Sequence, residues 1–573
     1  MEKVKEKEVA AAPKKKKEVL SGADILIRAL LAEDVEYVFG YPGGVVIPIF
    51  DKLYSAPRPK VVLTRHEQGA QHMADGYARS SGKVGVCLVT SGPGATNLVT
   101  GIATSFMDSV PVVCLTGQVA TAVIGNDAFQ EVDITGITRP ITKHNYLVRD
   151  TADLARTIKE AFYIAGTGRP GPVLVDLPKD VLISQVEFDY PDKVDIPGYK
   201  PTGEGHIQQI KKVAEVMAAA RRPVFYVGGG CITANAAGEL TDLARTAKIP
   251  VTTTLLGLGA FPENDPLSLG MLGMHGTWYA NMAVNECDLL IAVGARFDDR
   301  VTGKLDDFAP KAEVIHLDVD PASISKNIKV DYPVVGDCRK ILQRLSPLAR
   351  EADTADWLKL IGHWKQTHPL KYQKSDRIKP QYVCEAIRKV CGEKAIITTD
   401  VGQHQMWAAL HCGFFGPRTM ITSGGLGTMG YGFPAALGAA LANPDKKVVA
   451  VVGDGGLQMN MQEFATAVGQ RLNVIVALFN NGFLGMVRQW QELFFGKRYS
   501  HTCLEYTNPD FVKLVEAFGA VGLRVDRHDE VVPVLEKAMS IKNLPVMIDF
   551  HIDRHENVFP MIPPGQMATD IIE

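Results

Sequence analysis

The sequence lacks the features that indicate a secreted, membrane-spanning or nucleic-acid-binding protein. Its nine cysteines are dispersed without a C-x-x-C pair, a pattern typical of reduced core residues or free thiols in the cytosol. No apolar run approaches the length of a transmembrane helix. A formal net charge of -3 gives no general reason to expect binding to nucleic acid or to a membrane surface. We therefore expect a cytoplasmic protein that binds neither.

The first residues also lack the marks of a targeting segment. They mix Lys with Glu and include the run Lys14 to Lys17, but they have neither the apolar core of a signal peptide nor the arginine and serine bias of a transit peptide. We interpret residues 1–19 as a disordered, solvated tail.

Length and patterning predict several α/β domains. A chain of 573 residues corresponds to about three or four domains of roughly 150 residues each, and each third contains its own series of strands, turns and helices. We predict three doubly wound parallel-sheet domains, over residues 20–186, 201–350 and 379–573. The linkers are the Pro- and Gly-containing stretch 189–199 and the polar stretch 351–378. The outer domains are interpreted as divergent copies of one fold, although no short repeat is visible.

One motif in the last domain predicts a metal site, although the lysine of a P-loop is absent. Gly453-Asp454-Gly455 follows the apolar strand 448–452, and Asn481 follows the next one, 474–479, after a predicted helix over 461–471. Carboxyl ends of neighbouring parallel strands lie together, so the Asp454 carboxylate, the Asn481 amide oxygen and the Phe483 carbonyl can hold Mg²⁺ against a diphosphate. Two ordinary strand-to-helix turns are the alternative.

Two further segments lie in the first domain. Arg65 to Ala70 follows the strand 60–63 and contains Glu67, and Ser91 to Asn97 follows the strand 84–89 with glycines that allow backbone to approach a flat ring. Taken alone, Glu67 would more often be a solvated residue at a helix start, and the second segment a generic turn.

Together, these segments in this order resemble the thiamine diphosphate-dependent enzymes. More local runs resemble the catalytic subunit of the acetohydroxyacid synthase (acetolactate synthase) family, and the similarity extends from about Leu20 to the C-terminus. The runs are Tyr41 to Gly44, Ala128 to Glu131, Ile141 to Tyr146, Arg296 to Lys304, Gly424 to Gly430 and Gly485 to Gln491.

The resemblance implies cofactor-binding and catalytic roles for matching positions. Glu67 would share a proton with the aminopyrimidine ring, and Met429 would support the bent cofactor from below. Gln130, Lys179 and the backbone of Gly44 would orient or polarise bound intermediates. The implied thiamine diphosphate contacts are Tyr41, Pro42, Glu67, Pro93, Asn97, Val401, Gly402, Gln403, His404, Gly427, Met429, Gly453, Asp454, Gly455, Gly456, Asn481, Phe483, Leu484, Gly485 and Met486.

The family's reaction decarboxylates pyruvate and joins the remaining two-carbon fragment to a second 2-ketoacid. Pyruvate as acceptor gives 2-acetolactate and 2-ketobutyrate gives 2-aceto-2-hydroxybutyrate, the first common step in making valine, leucine and isoleucine. Arg300 would bind the carboxylate of the acceptor, and Trp490 would contact the acceptor's alkyl tail and select for its length. Met486 and Phe129 would lie beside them. A decarboxylase that releases an aldehyde needs no such clamp.

The central domain is expected to bind FAD. Three apolar strands, 223–227, 289–293 and 314–320, end in turns of the type that bind ligands. The family resemblance implies flavin contacts at Arg169, Gly228, Gly229, Thr254, Leu255, Met274, His275, Gly294, Arg296, Asp298, Asp318, Val319 and Asp337. Because the net reaction transfers no electrons, this flavin would be structural or an ancestral remnant.

The resemblance also implies assembly. In these enzymes Glu67 and Asp454 of one cofactor site would come from different chains, so we expect a homodimer or homotetramer with active sites at the subunit interface, and a small regulatory subunit is a further candidate partner. Competing hypotheses are a catabolic, FAD-independent acetolactate synthase, another thiamine diphosphate-dependent 2-ketoacid decarboxylase or oxidase, and a binding protein that keeps the fold without chemistry.

Overall fold

The computed structural model describes residues 18–573. Most of the predicted tail, residues 1–17, lies outside the described residues, and Val19 already belongs to a strand, β1 (Val19–Ser21), which pairs antiparallel with β8 (Gln185–Glu187). Within residues 18–573, no helix combines the length and apolar character needed to cross a bilayer.

The N-terminal domain is a parallel six-stranded sheet with helices on both faces. Its strands are β2 (Tyr37–Tyr41), β3 (Lys60–Leu63), β4 (Gly85–Val89), β5 (Val112–Gln118), β6 (His144–Leu147) and β7 (Val173–Pro178), in the spatial order β3-β2-β4-β5-β7-β6. Its helices are α1 (Gly22–Ala32), α2 (Ile47–Ser55), α3 (Glu67–Ser81), α4 (Pro93–Thr96), α5 (Val99–Met107), α6 (Ile134–Thr138), α7 (Thr151–Gly166) and α8 (Lys179–Ile183).

The central domain has a second parallel six-stranded sheet. Its strands are β9 (Pro223–Val227), β10 (Val251–Thr253), β11 (Ser268–Met271), β12 (Leu289–Val293), β13 (Glu313–Asp318) and β14 (Tyr332–Val335), in the order β11-β10-β9-β12-β13-β14. Its helices are α9 (Ile207–Ala219), α10 (Gly229–Thr233), α11 (Ala237–Ala247), α12 (Trp278–Glu286), α13 (Asp299–Thr302), α14 (Cys338–Leu345) and α15 (Ala355–Thr367).

The C-terminal domain has the third parallel sheet. Its strands are β15 (Ile396–Thr399), β16 (Met420–Ile421), β17 (Val448–Gly453), β18 (Val474–Asn480), β19 (Val521–Val525) and β20 (Val546–His551), in the order β16-β15-β17-β18-β20-β19. Its helices are α16 (Pro380–Cys391), α17 (Gln403–His411), α18 (Gly432–Ala442), α19 (Asp454–Leu457), α20 (Phe464–Gly469), α21 (Gly485–Phe494), α22 (Phe511–Ala517) and α23 (Val531–Ser540). The prediction of three doubly wound parallel-sheet domains is confirmed.

The strand orders distinguish the outer domains from the central one. Numbered from 1 to 6 within each sheet, both outer domains have the order 2-1-3-4-6-5, whereas the central domain has 3-2-1-4-5-6, the order of dinucleotide-binding domains. Ligands of open parallel sheets bind where the strand order reverses direction. That point lies between β2 and β4, between β9 and β12, and between β15 and β17.

The outer domains pack on each other through α3 and α18, the helices that follow the second strand of each sheet. A Cβ built on Gly76 would lie 2.2 Å from the carbonyl oxygen of Ala435, and one built on Gly438 would lie 1.9 Å from that of Met73. Glycine at both positions therefore permits the two backbones to touch, and the helices join the domains into one core.

Two elements differ from the predictions. The polar stretch 351–378, predicted as a linker, contains α15, whose Trp357 and Ile361 are buried in the central core; the Trp357 indole donates to the Pro223 carbonyl at 3.2 Å. Their helical spacing outweighs the polar composition around them. The helix predicted over 461–471 is a 3₁₀ turn at Met461–Glu463 followed by the shorter α20.

Candidate functional site

The predicted metal ligands lie at the ends of the neighbouring strands β17 and β18. Asp454 is almost fully buried, and its Oδ2 accepts hydrogen bonds from Asn508 Nδ2 at 2.8 Å and from the Gly482 N–H at 3.0 Å. Burial raises the pKa of this carboxyl to about 6. A divalent cation at this position would stabilise the ionised form.

Asn481 and Phe483 complete the predicted ligand set. The Asn481 side chain donates to Gln403 Oε1 at 3.3 Å and accepts from the Phe483 N–H at 3.0 Å, so its amide oxygen faces the turn that carries the Phe483 carbonyl. Residues 18–573 contain no group of three or more His, Cys, Asp or Glu side chains arranged to hold a metal. One carboxylate, one amide and one carbonyl are an incomplete shell for Mg²⁺, which suits a cation that shares its remaining positions with phosphate oxygens and water.

Three glycines around Asp454 lie so close to neighbouring side chains that none of them could carry a Cβ without a clash. A Cβ on Gly456 would lie 2.2 Å from Asp400 Oδ2, one on Gly453 would lie 2.9 Å from the His404 ring, and one on Gly485 would lie 2.2 Å from Gln403 Oε1. Gln403 and Gly485 begin α17 and α21, so two helix N-termini converge on the turn that carries the predicted metal ligands. Their free N–H groups and positive ends favour a bound diphosphate.

Met429 is half-buried beside this turn, and the loop that carries it is fixed by hydrogen bonds. Its Cε lies 3.7 Å from the Cβ position of Gly455. The Gly430 N–H donates to Asp400 Oδ1 at 2.8 Å, the Gly430 carbonyl accepts from Asn460 Nδ2 at 2.8 Å, and the Thr428 N–H donates to Ser423 Oγ at 3.0 Å. The side chain is thus held on an ordered support, as its predicted role requires.

Glu67 lies in a second group of predicted residues, in the N-terminal domain. It is the first residue of α3; its Oε2 accepts from Asn97 Nδ2 at 2.9 Å, and its Oε1 lies 3.4 Å from the Cβ position of Gly94. Gly44 lies at an open position, where a Cβ would meet no atom within 4 Å. The predicted contacts Tyr41, Pro42, Pro93 and Asn97 are exposed, in contrast with the buried Asp454.

The remaining predicted residues of the N-terminal domain are also on its surface. The Phe129 side chain is 88% exposed, Gln130 is exposed with a left-handed backbone (φ 60°), and Lys179 is exposed at the first position of α8. Within this chain Phe129 does not line the cavity that contains Arg300, Trp490 and Met486.

A cavity of about 720 Å³ lies between the central domain and the two outer ones. All of the residues predicted to contact FAD line it, namely Arg169, Gly228, Gly229, Thr254, Leu255, Met274, His275, Gly294, Arg296, Asp298, Asp318, Val319 and Asp337. Its lining includes the reversal point between β9 and β12, where a Cβ on Gly228 would lie 2.2 Å from the Gly294 carbonyl oxygen. The same cavity reaches Val401 and Gly427 of the predicted thiamine site.

The predicted substrate-selecting pair lies at the end of this cavity. Arg300, Trp490 and Met486 all line it, and the first two also border an adjoining cavity of about 360 Å³ formed with residues 562–568. The Arg300 side chain is 59% exposed; its Nε forms a 3.5 Å ion pair with the exposed Asp299, and its Nη1 donates to Met274 Sδ at 3.7 Å. Its guanidinium is therefore available to a carboxylate ligand.

Several residues at the site were not predicted. Asn508 binds Asp454, Asp400 and Asn460 hold the Met429 loop, and Asp108 reaches the same loop from the N-terminal domain. None lies in a motif with a recognisable spacing. Asp400 alone had a local signal, as an acidic residue directly after the apolar strand β15.

Three family models of thiamine pyrophosphate enzymes match the chain: the N-terminal TPP-binding domain over residues 20–137, the central domain over 210–345 and the C-terminal TPP-binding domain over 400–550. The acetolactate synthase large subunit of Haemophilus influenzae is 48% identical over 562 residues, 96% of this chain and 98% of its own. Acetolactate synthase isozyme 3 large subunit of Escherichia coli is 48% identical over 556 residues, covering 95% and 97%. Acetolactate synthase of Mycobacterium leprae is 51% identical over 565 residues, covering 97% and 90%.

Proposed function

Because this chain belongs to the thiamine pyrophosphate enzymes, and among them to the acetolactate synthase family, we propose that it is the catalytic subunit of an acetohydroxyacid synthase. It decarboxylates pyruvate and joins the two-carbon fragment to a second 2-ketoacid, pyruvate or 2-ketobutyrate. The observation that carries the proposal is that both predicted halves of a thiamine diphosphate site lie at the reversal points of the outer sheets, with Tyr41 and Pro93 in one half and Gln403 and Asp454 in the other.

The C-terminal half of the site fits a magnesium diphosphate. Asp454, Asn481 and the Phe483 carbonyl would hold the Mg²⁺, and the helix N-termini at Gln403 and Gly485 would face the phosphates. Thiamine diphosphate, when bound, supplies the electron sink that decarboxylation requires.

The chain's own groups orient the cofactor and move one proton. Met429, on its hydrogen-bonded loop, would support the bound cofactor in its bent form, which is catalysis by proximity. Glu67 would hold and release one proton at its carboxyl, within reach of the aminopyrimidine ring of a bound cofactor. The Asn97 amide holds that carboxyl at 2.9 Å, which fixes its orientation.

The acceptor is selected at Arg300 and Trp490. The planar guanidinium binds a carboxylate through two parallel hydrogen bonds, and the indole face packs on the short alkyl tail. Met486 lines the same wall and excludes water from the reacting carbon. Gln130, Lys179, Phe129 and the Gly44 backbone act on the same substrates from the N-terminal half, supplied by a second chain.

FAD is the proposed ligand of the large cavity. The central sheet has the strand order of dinucleotide-binding domains. At its reversal point Gly228 lies against Gly294 without a side chain, which leaves the turn open to a ligand. The cavity volume of about 720 Å³ lies within the range of sites for large small-molecule ligands. Since the proposed reaction transfers no electrons, the flavin's role would be structural.

Exposure of the N-terminal half supports a homodimer or homotetramer. Phe129 is 88% and Tyr54 is 94% exposed, which suits residues covered by a second copy. Glu67 would then act on the cofactor that Asp454 of the other chain holds. A small regulatory subunit is a further proposed partner, and the assembly is proposed to be cytoplasmic, binding neither nucleic acid nor membrane.

The test is product analysis with purified protein, pyruvate, Mg²⁺ and thiamine diphosphate, with and without FAD. Acetolactate that requires FAD and is lost in Glu67→Gln is the expected result, with Glu36→Gln, at a partly buried carboxylate that pairs with Lys83, as the control. Acetaldehyde as the main product would replace the proposal with a decarboxylase, and acetolactate without FAD would replace it with a catabolic synthase.

A further inference from the structure

A carboxylate from the C-terminal domain is buried at the start of the helix that carries Glu67. Glu463 ends the 3₁₀ turn Met461–Glu463 and is fully buried. Glu463 follows Asp454 and Asn460 closely in the sequence. The segment that carries the proposed metal ligand Asp454, and Asn460, which contacts the Met429 loop, therefore also carries this carboxylate.

Glu463 contacts the backbone on the N-terminal side of Glu67. Its Oε1 accepts from the N–H groups of Arg65 and His66, each at 3.0 Å, and its Oε2 accepts from the Arg65 N–H at 3.2 Å and from Thr466 Oγ1 at 2.7 Å. The His66 ring in turn caps α3 by accepting from the Gln68 N–H at 3.1 Å. The turn at Arg65 and His66 is therefore attached to the other domain by its backbone, and Glu67 follows it directly.

The contact between Glu463 and the start of α3 is closely packed at Gly69. A Cβ on Gly69 would lie 2.5 Å from Glu463 Oε1, so the carboxylate rests against the first turn of α3. The same helix is fixed further along by its contact with α18. A helix held by the C-terminal domain at its first turn and again at its middle presents its first residue in one position.

We propose that Glu463 is a positioning residue for the reaction: its carboxylate oxygens hold the Arg65–His66 turn so that the Glu67 carboxyl meets the aminopyrimidine ring in the reactive geometry. This inference rests on the proposed function. Glu463 itself touches neither substrate nor cofactor. The hydrogen bonds from the Arg65 and His66 N–H groups both end on Glu463 Oε1, so an amide oxygen at that position can replace it. A shorter side chain, or one without an acceptor, cannot.

The experiment compares Glu463→Gln, Glu463→Asp and Glu463→Ala with the wild-type holoenzyme. We expect Gln to retain nearly full kcat, and Asp and Ala to lose about 10- to 100-fold in kcat, the cost of a misplaced catalytic group, with KM for pyruvate unchanged. The near-ultraviolet circular dichroism of the bound cofactor, which reports the protonation of its aminopyrimidine ring, should change in Asp and Ala but not in Gln.

Gly69→Ala approaches the same contact from the other domain and leaves the carboxylate in place, so it decides the matter if Glu463→Ala does not fold. It should lower kcat and alter the dichroism in the same way. Two controls match these changes. Glu263 is a carboxylate that accepts the Phe414 N–H at 2.6 Å across another domain boundary, and Gly238 lies in α11 with no atom within 4 Å of its Cβ position. Glu263→Ala and Gly238→Ala should keep wild-type kcat.

Wild-type kcat and dichroism in Glu463→Ala, or in Gly69→Ala where Glu463→Ala does not fold, would overturn the inference. A loss in Glu463→Gln as large as that in Glu463→Ala would also overturn it, since charge rather than hydrogen bonding would then be responsible. If the wild-type enzyme makes no acetolactate in the same assay, the proposed function fails instead, and the two failures are thereby distinguished.

Discussion

Replacing Asp108 with alanine removes one of the side chains that connect the N-terminal domain to the loop carrying Met429; the Thr104–Thr428 hydrogen bond at 2.7 Å is another such connection. Asp108 directly follows α5, and its side chain is fully buried. Its Oδ1 accepts from the Gly425 N–H at 2.6 Å, and its Oδ2 accepts from the Gly424 N–H at 3.0 Å and from Arg79 Nη2 at 2.8 Å. The same loop residues line the large cavity, so the substitution affects both proposed cofactor sites.

The expected loss of stability follows from these contacts. Breaking a buried ion pair costs about 3–5 kcal/mol, mainly because the remaining charge is left without a partner. Here Arg79 keeps Asp75 at 2.6 Å and lies 5.5 Å from the Tyr431 ring centroid, so its charge stays compensated. We therefore expect the lower end, about 3 kcal/mol. At about 2–4 °C per kcal/mol for domains of this size, Tm falls by about 6–12 °C.

The measurement is differential scanning calorimetry of the wild type, Asp108→Ala and Asp353→Ala. Asp353 forms an exposed pair with Arg221 at 3.3 Å, and such pairs contribute about 0–1 kcal/mol, so the control should shift Tm little. Fluorescence titration with thiamine diphosphate and FAD should show weaker binding of both to Asp108→Ala. A Tm and cofactor affinities equal to those of Asp353→Ala would refute the reasoning.

Three further predictions concern the proposed ligands. Gly228→Ala should abolish flavin absorbance in the purified protein, because its Cβ would lie 2.2 Å from the Gly294 carbonyl oxygen; Gly238→Ala should remain yellow. Burial raises the pKa of Asp454 from 3.8 to about 6, so the stability that its neutral form gives the metal-free protein is fully present below 3.8 and is lost as the pH rises through 6. Mg²⁺ must displace that proton, so the Mg²⁺ concentration for half-maximal activation should rise about tenfold per pH unit below pH 6 and stay flat above it; an equal requirement at pH 5 and 7 would contradict this. Arg300→Lys should raise the ratio of acetaldehyde to acetolactate about tenfold, since an ammonium cannot bind a carboxylate through a planar fork, whereas Arg245→Lys on α11 should leave the ratio unchanged.

The parallel strands could be predicted because strands buried on both faces are nearly continuous apolar runs, as at β12 and β17. Their spatial order could not, because it depends on pairing between strands far apart in sequence. The difference between the 2-1-3-4-6-5 and 3-2-1-4-5-6 orders has no local signal. By contrast, α15 had one, the helical spacing of Trp357, Ile361 and Trp364, which the polar composition of the stretch obscured.

The candidate site was predictable where its residues share a strand end. Asp454 and Asn481 follow adjacent apolar strands, so their proximity follows from the sheet. Glu463, Asp108 and Asn508 act on backbone or side chains distant in sequence, and neither spacing nor residue type singles them out. Their partners become visible only when the domains are packed together.

The contact between α3 and α18 has a consequence for the origin of the chain. Gly76 meets Ala435 and Gly438 meets Met73, so each helix offers a glycine to a residue three positions before the other helix's glycine. That reciprocity is the signature of a two-fold axis, normally found between identical subunits. One polypeptide thus contains an internal dimer of two related domains, as a duplicated and fused gene would produce. The central domain, with its different strand order, lies between the two halves in the sequence and takes no part in this two-fold relation.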